Sequence, residues 1–418
     1  MNEIISRKFG RRAVLGGAAA AAAGSLIYPV RGTFAASEAP VKIGMVDSET
    51  GVYAADGASE IMGARLALDQ VNKAGGILGR PVELLVEDDA ASPGLAVTKA
   101  RKLISSDKVN FLMGTISSAV SLSLSHTAEE LGILFVVTGG HSDPVTGTDC
   151  RWTTFRTCSN TWMLASGNFK LLFDKFGKNW YFITPDYAYG HSVADDYTKL
   201  LQNAGGKLLG NALAPLGTTD FSSYLIQARL AKPDVLMFLT AGDDLVNSLK
   251  QGVQFGLDKQ MAFAGPYIEV EDLMAMPQAA RIGWWAVEWW WDQPKQPHVA
   301  EFVATYKKMS GGKVPTARSW FGFVSLHSIA MAANKVKSIE SLKVCRAMEG
   351  LVLPPEVALA PNNPFYRAED HQLMLSEFVG YVLTDSVYPN LFQVTNIVPG
   401  ATIALPPGQE GCKMAYPS

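Results

Sequence analysis

The chain has 418 residues, 48% hydrophobic and 18% charged, with 36 basic against 39 acidic side chains and a formal charge of -3. Such a balance belongs to a globular protein, and by length to one of two to three folding units, each able to bury its own core. With no run of five like charges it offers no electrostatic footprint for nucleic acid, which excludes DNA and RNA as expected partners.

In chain order, Arg7, Lys8, Arg11 and Arg12 form a basic head, followed by an apolar stretch from Ala13 to Ile27 and by Thr33-Phe34-Ala35. That pattern predicts an export signal over residues 1–35, of the twin-arginine type because Arg11-Arg12 precedes Ala13-Val14-Leu15. The apolar stretch is shorter than the roughly 20 residues of a membrane-spanning helix, and no later segment is apolar for as long.

From Val41 the pattern alternates. Val41–Val46 predicts a strand, Ile61–Asn72 a helix stopped by Gly75-Gly76, Val82–Val86 a strand, Pro93–Ser105 a helix and Val109–Met113 a strand. A helix over 119–131 and a strand at Phe135–Val137 follow, so the class is α/β with parallel sheets covered by helices. The grammar then returns: Asn72–Gly76 has a counterpart in Gln202–Gly206, Val109 in Val235 and Gly132 in Gly256, at offsets drifting only from 130 to 124. Two similar α/β lobes fit those offsets.

The local signatures of hydrolases, zinc proteases and phosphate-binding loops are missing, and no catalytic set is expected. None of Cys150, Cys158, Cys345 and Cys412 lies in a CxxC pair or beside a histidine at ligand spacing, so neither a metal nor another cofactor is expected, and disulfide pairing stays open. What the chain does offer is an anion cradle. Gly114-Thr115-Ile116-Ser117-Ser118 follows a strand and opens a helix, whose unpaired N–H groups and positive dipole end suit a carboxylate beside the hydroxyl of Ser117 or Ser118. Thr138-Gly139-Gly140-His141-Ser142 supplies a second small-residue loop, with a free carbonyl and a hydroxyl, at the same sheet edge.

At these loops the sequence resembles a known family. The stretch from Asn72 to Ile104, the GTISS and TGGHSDPVTG loops, Asp186–Gly190, Gly217–Leu236 and Arg367–Gln372 are similar to the periplasmic leucine/isoleucine/valine-binding proteins, the solute receptors of ABC importers. The resemblance covers about residues 41–380. It implies the type I periplasmic binding protein fold, two Rossmann-like lobes joined by three crossovers: residues 36–155 with 290–345 as one lobe, 156–289 with 346–384 as the other, and 385–418 as an extension outside the resemblance. It also implies a periplasmic, non-enzymatic monomer that hands its ligand to a permease of the inner membrane. By position, Ser118 takes the ligand carboxylate beside Ser117, Gly140, His141 and Ser142, and Tyr189 closes over it from the second lobe. A sensory module feeding a receptor, or an exported enzyme, is the competing expectation.

One departure bears on the ligand. Where amino-acid binders carry an acid for the ammonium, Gly265-Pro266 is followed here by Tyr267, with Glu269 two residues on as a substitute. An amine-free carboxylate, aromatic or otherwise, is therefore expected over a branched-chain amino acid, unless Glu269 takes the ammonium. The segment Gly283–Trp291, with five of nine tryptophans, either packs at the hinge or walls the cleft for a planar ligand. His371 is expected in core or loop hydrogen bonding.

Overall fold

The computed structural model describes residues 39–417; the predicted export signal lies outside them. The first sheet is built from β1 (Val41–Asp47), β2 (Val82–Asp88), β3 (Phe111–Gly114), β4 (Phe135–Val137) and β5 (Thr154–Arg156) in the order β2-β1-β3-β4-β5, all parallel. Parallel strands need crossovers, here α1 (Ala54–Lys73), α2 (Pro93–Ser105) and α3 (Ser118–Glu130). β3 and β4 are apolar and β1 mainly so, and with β5 they are buried almost throughout, as strands covered by helices must be.

The second sheet repeats that plan. After α4 (Thr161–Phe176) come β6 (Asn179–Pro185), α5 (Ala188–Asn203), β7 (Lys207–Ala214), α6 (Ser222–Ala231), β8 (Val235–Phe238), α7 (Gly242–Gln254), β9 (Ala262–Ala264), α8 (Val270–Ala275) and β10 (Trp284–Val287). Their order, β7-β6-β8-β9-β10, is the first sheet's permutation over again. The repeated sequence grammar is a repeated topology. The chain then returns to the first lobe as α9 (Val299–Met309), α10 (Ala317–Val336) and α11 (Ser341–Met348), adds a short β11–β12 hairpin (Phe365–Tyr366 and Leu373–Met374), and crosses a third time into β13 (Glu377–Val382), antiparallel to β10.

The packing moves the expected boundaries. Val344, Met348, Leu353, Val357, Tyr366 and Met374 share one core with β1 and β3, so residues 346–375, expected in the second lobe, pack in the first. The third passage occurs near Ser376. Trp289 also belongs to the first core, whereas Trp285 and Trp290 belong to the second.

The C-terminal extension is structured. β14 (Phe392–Val398) pairs with β13 at the edge of the second sheet, after which the tail runs back and Cys412 is bonded to Cys150 of the first lobe. Tyr416 then packs beneath Arg346, 3.2 Å from ring centroid to guanidinium carbon. Cys158 and Cys345 are buried free thiols.

Candidate functional site

The strand-to-helix turn after β3 is shaped by close approach. A side chain on Gly114, at φ +120°, would run into the Val46 carbonyl, so only glycine lets β3 pass β1 there. Thr115 Oγ1 donates to Asp89 Oδ2 at 2.6 Å and Ser48 Oγ to Asp89 Oδ1 at 2.6 Å, bracing the turn from two neighbouring strand ends. Ser117 is the N-cap of α3, yet its hydroxyl makes no capping bond; it is buried and has no partner. A buried hydroxyl without a partner loses its hydration for nothing unless something else fills that role. Ser118 Oγ accepts the Ser142 N–H at 3.0 Å, which ties the first loop to the second.

The second loop leaves β4 with Thr138 N and Gly139 N donating to Gly114 O and Thr115 O at 3.1 and 3.0 Å. A side chain at Gly139 would strike Arg318 and Glu60, and one at Gly140 would strike Ser121, so both glycines are there for room. The Gly140 carbonyl, expected free, accepts from Arg156 Nη1 at 3.3 Å, and the Ser142 hydroxyl is turned onto Ala188 O at 3.3 Å. His141 Nε2 lies 2.6 Å from Glu288 Oε2, both buried. Burial holds the imidazole below its ordinary pKa, against the pull of Glu288. Burial also works to raise the Glu288 carboxyl, but His141, the Ser159 N–H at 2.7 Å and Arg318 together outweigh it and leave that group below its ordinary value. The pair is therefore a neutral imidazole donating to a carboxylate.

Across the cleft the second lobe presents tyrosines. Tyr267 stacks on His141 with ring centroids 5.0 Å apart, and Tyr189 meets both rings edge-on at 6.1 and 6.2 Å. Tyr53 and Tyr187 share a 2.6 Å hydroxyl contact, one ring from each lobe. Tyr189 Oη is buried without a partner, and burial pushes its pKa well up, so it remains a phenol able to donate. Of the seven residues expected at the site, the structure thus links Ser118 to Ser142 and gathers His141, Tyr189 and Tyr267; Ser117 and Gly140 lie in the same two loops.

Three residues the sequence did not disclose complete the interior. Arg318, wholly buried at the start of α10, reaches Glu269 Oε1 with Nε at 2.9 Å, Glu60 Oε1 with Nη1 at 3.3 Å and Tyr267 Oη with Nη2 at 3.3 Å. Glu269 also caps α8, so this acid is already engaged twice. Asp56, 2% exposed, has no partner on either carboxylate oxygen. Burial pushes it up to about 7; Arg318 pulls the other way, and Glu271, Glu60 and Asp243 reinforce the rise. Glu288, the third, comes from the second crossover. A weak signal did exist for Arg318: a cation in the first turn of a helix opposes the macrodipole and needs an acid elsewhere to hold it.

The tryptophan segment is packing. Trp285 donates to Ile282 O and Trp289 to Leu359 O, in the two separate cores, and the wall near His141 is made of tyrosine instead. His371 stacks on Phe155 at 3.7 Å and bonds Thr154 O, away from these loops.

Two repeated α/β lobes, three passages between them and a polar interior at the carboxyl ends of the strands define a two-lobed solute receptor. The periplasmic binding protein family model matches residues 40–384, and the chain belongs to that family, whose members are substrate-binding proteins of importers. It is 29% identical to Leu/Ile/Val-binding protein homolog 8 of Brucella melitensis over 345 residues, 78% of this chain and 84% of the relative. The amino acid ABC transporter substrate-binding protein of Pseudomonas fluorescens superposes with a TM-score of 0.80 at 25% identity, over 90% of this chain and 99% of that one. A solute-binding protein of Rhodopseudomonas palustris solved with 3,4-dihydroxybenzoic acid gives 0.75 at 23% identity, over 86% and 98%, a likeness of fold.

Proposed function

We propose that this chain is the exported, non-catalytic receptor of an ABC importer, capturing a small carboxylate between its lobes and presenting it, as a monomer, to an inner-membrane permease. The twin-arginine pair Arg11-Arg12 would direct the export. The observation that carries the reading is that each lobe contributes a buried hydroxyl without a partner, Ser117 from the first and Tyr189 from the second. Donors of that kind are what a bound anion consumes. In this reading the carboxylate meets the α3 N-terminus, with Ser117 and Ser118 donating, and Tyr189 and Tyr267 cover it as the lobes close. Ligand that touches both lobes favours the closed form by its differential affinity, and the permease reads that form.

The ligand in this proposal lacks an α-ammonium. Glu269, the acid nearest to Tyr267 in sequence, already answers Arg318 and so is not free to pair with an ammonium. Asp56, the unpartnered acid of the same interior, lies on the first lobe rather than where amino-acid binders carry theirs. The His141, Tyr189 and Tyr267 rings supply flat surface, each ring pair contributing about 0.5 to 1.5 kcal/mol beyond area burial. That an aromatic acid fits the related Rhodopseudomonas receptor agrees with this choice. A thermal-shift panel of aliphatic amino acids, amides, benzoates and phenylpropanoids tests it. Ligand at about 100 times its Kd stabilises the native state by roughly 2.7 kcal/mol, several degrees in Tm. The aromatic acids are expected to give the largest shifts; leucine, isoleucine or valine leading the panel would overturn the ligand class.

A further inference from the structure

A second cavity, of about 550 Å³, opens between the loop carrying Asp143, helix α5 and the returning C-terminal tail. Four acids, Asp143, Asp195, Asp196 and Glu410, line it beside Lys199, His191 and neutral polar groups. Asp143 accepts from Thr161 Oγ1 at 2.8 Å and from Trp162 N at 3.0 Å. Asp196, 1% exposed, has Oδ1 at 3.4 Å from Lys199 Nζ, and its carboxyl also answers Thr161 and Asp143. Glu410, 9% exposed, takes Asn160 Nδ2 at 2.9 Å and Arg367 Nη2 at 3.5 Å on Oε1, while Oε2 has none. Asp195 adds a further acid, and His191 is turned to Asp186 at 3.0 Å. A carboxyl pair, Asp143 with Asp196, and one Glu410 oxygen without a donor thus line one cavity from different elements.

We propose that this cavity is a second binding site, for a small organic dication of the alkyl-diamine class, with one ammonium at Asp196 and the other at Glu410. The two acids arise from separate elements, one on α5 and one on the tail, and each is matched by one ammonium of such a ligand. No group of three acids, histidines or cysteines among the described residues is placed to hold a metal ion, which argues against a divalent cation. Trp162, Leu405 and Pro144 give the cavity apolar surface for methylenes, and an indole face also attracts an ammonium. Burial pushes Asp196 up to about 8, with Asp143 adding to it, and Glu410 up to about 7, with Asp370 adding to it. Asp196 therefore holds a proton near neutrality and Glu410 is about half protonated, and a bound ammonium would displace these protons. The Cys150–Cys412 bond, two residues beyond Glu410, fixes that acid over the first lobe. An occupant would touch both lobes and the tail.

Calorimetric titration of the purified full chain with 1,4-diaminobutane, n-butylamine and magnesium chloride at constant ionic strength tests the site. The diamine is expected to bind saturably and at least tenfold more tightly than either other cation. Asp196→Asn and Glu410→Gln should each weaken it tenfold or more. Glu410→Gln keeps the Asn160 contact, so it serves if the first variant folds poorly. Magnesium or butylamine matching the diamine, no saturable binding, or a diamine affinity unchanged in both variants would overturn the proposal.

Discussion

Ser117 and Ser118 are neighbours with opposite bookkeeping in the ligand-free protein. Ser118 accepts a backbone N–H from Ser142, whereas Ser117 spends its hydroxyl on nothing. Replacing Ser118 by alanine orphans a buried N–H and should cost about 1 kcal/mol or more of stability, in addition to its effect on ligand. Ser117→Ala removes no partner, so stability should hold or rise. Each should nonetheless weaken carboxylate binding by about 1.5 to 3 kcal/mol, roughly ten- to a hundredfold in Kd, because a charge-assisted bond is lost. Calorimetry with the best carboxylate of the panel, beside urea melts of both variants, separates the two effects. A Ser117→Ala protein that binds as tightly as the parent would remove that hydroxyl from the site.

At the level of elements, local pattern carried far and then stopped. The helix expected over Pro93–Ser105 and the strand at Phe135–Val137 appear with those bounds, because proline at a helix start and a short apolar run between breakers are local signals. α1 starts seven residues before the expected Ile61, since Tyr53 at its N-cap gives no capping bond and so no signal. The anion loops were legible for the same local reason. Arg318, Glu288 and Asp56 were not, because their roles exist only after segments more than 100 residues apart are brought together. The tail is the extreme case: Cys412 reaches Cys150 across 262 residues while Cys158 and Cys345 stay free, a single bond rather than any of the three full pairings that four cysteines allow. A crosslink over so long a loop is worth about 2 to 5 kcal/mol, so Cys412→Ser should lower Tm markedly and expose residues 399–418 to limited proteolysis. An unchanged Tm and an intact C-terminus would show that Tyr416 and Glu410 hold the tail unaided.

For the molecule as a whole, the two lobes bring acid against acid. Asp56 and Glu60 of the first lobe meet Glu269, Glu271 and Asp272 of the second, with Arg318 as the buried cation between them. Asp56 faces Arg318 from α10, Glu271 from α8, Glu60 from its own helix and Asp243 from α7. Its carboxyl, ordinarily at 3.8 and here at about 7, keeps a proton in the native state that the unfolded chain releases. The native state then binds more protons between those values, so this contribution to stability is full below pH 3.8 and is lost as pH rises through 7. Asp196 and Glu410 act with the same sign, whereas His327, lowered to about 4 by burial, acts with the opposite sign below its ordinary 6.5. The window from pH 6 to 8 is therefore governed mainly by the acids. Asp56 alone should account for about 1 kcal/mol of stability lost across that window. Urea unfolding at pH 6 and 8 is expected to show the parent losing stability on alkalinisation, and Asp56→Asn losing about 1 kcal/mol less. Equal losses in the two proteins would mean that Asp56 is ionised throughout, held by Arg318 despite its burial, and that the lobes meet without taking up this proton.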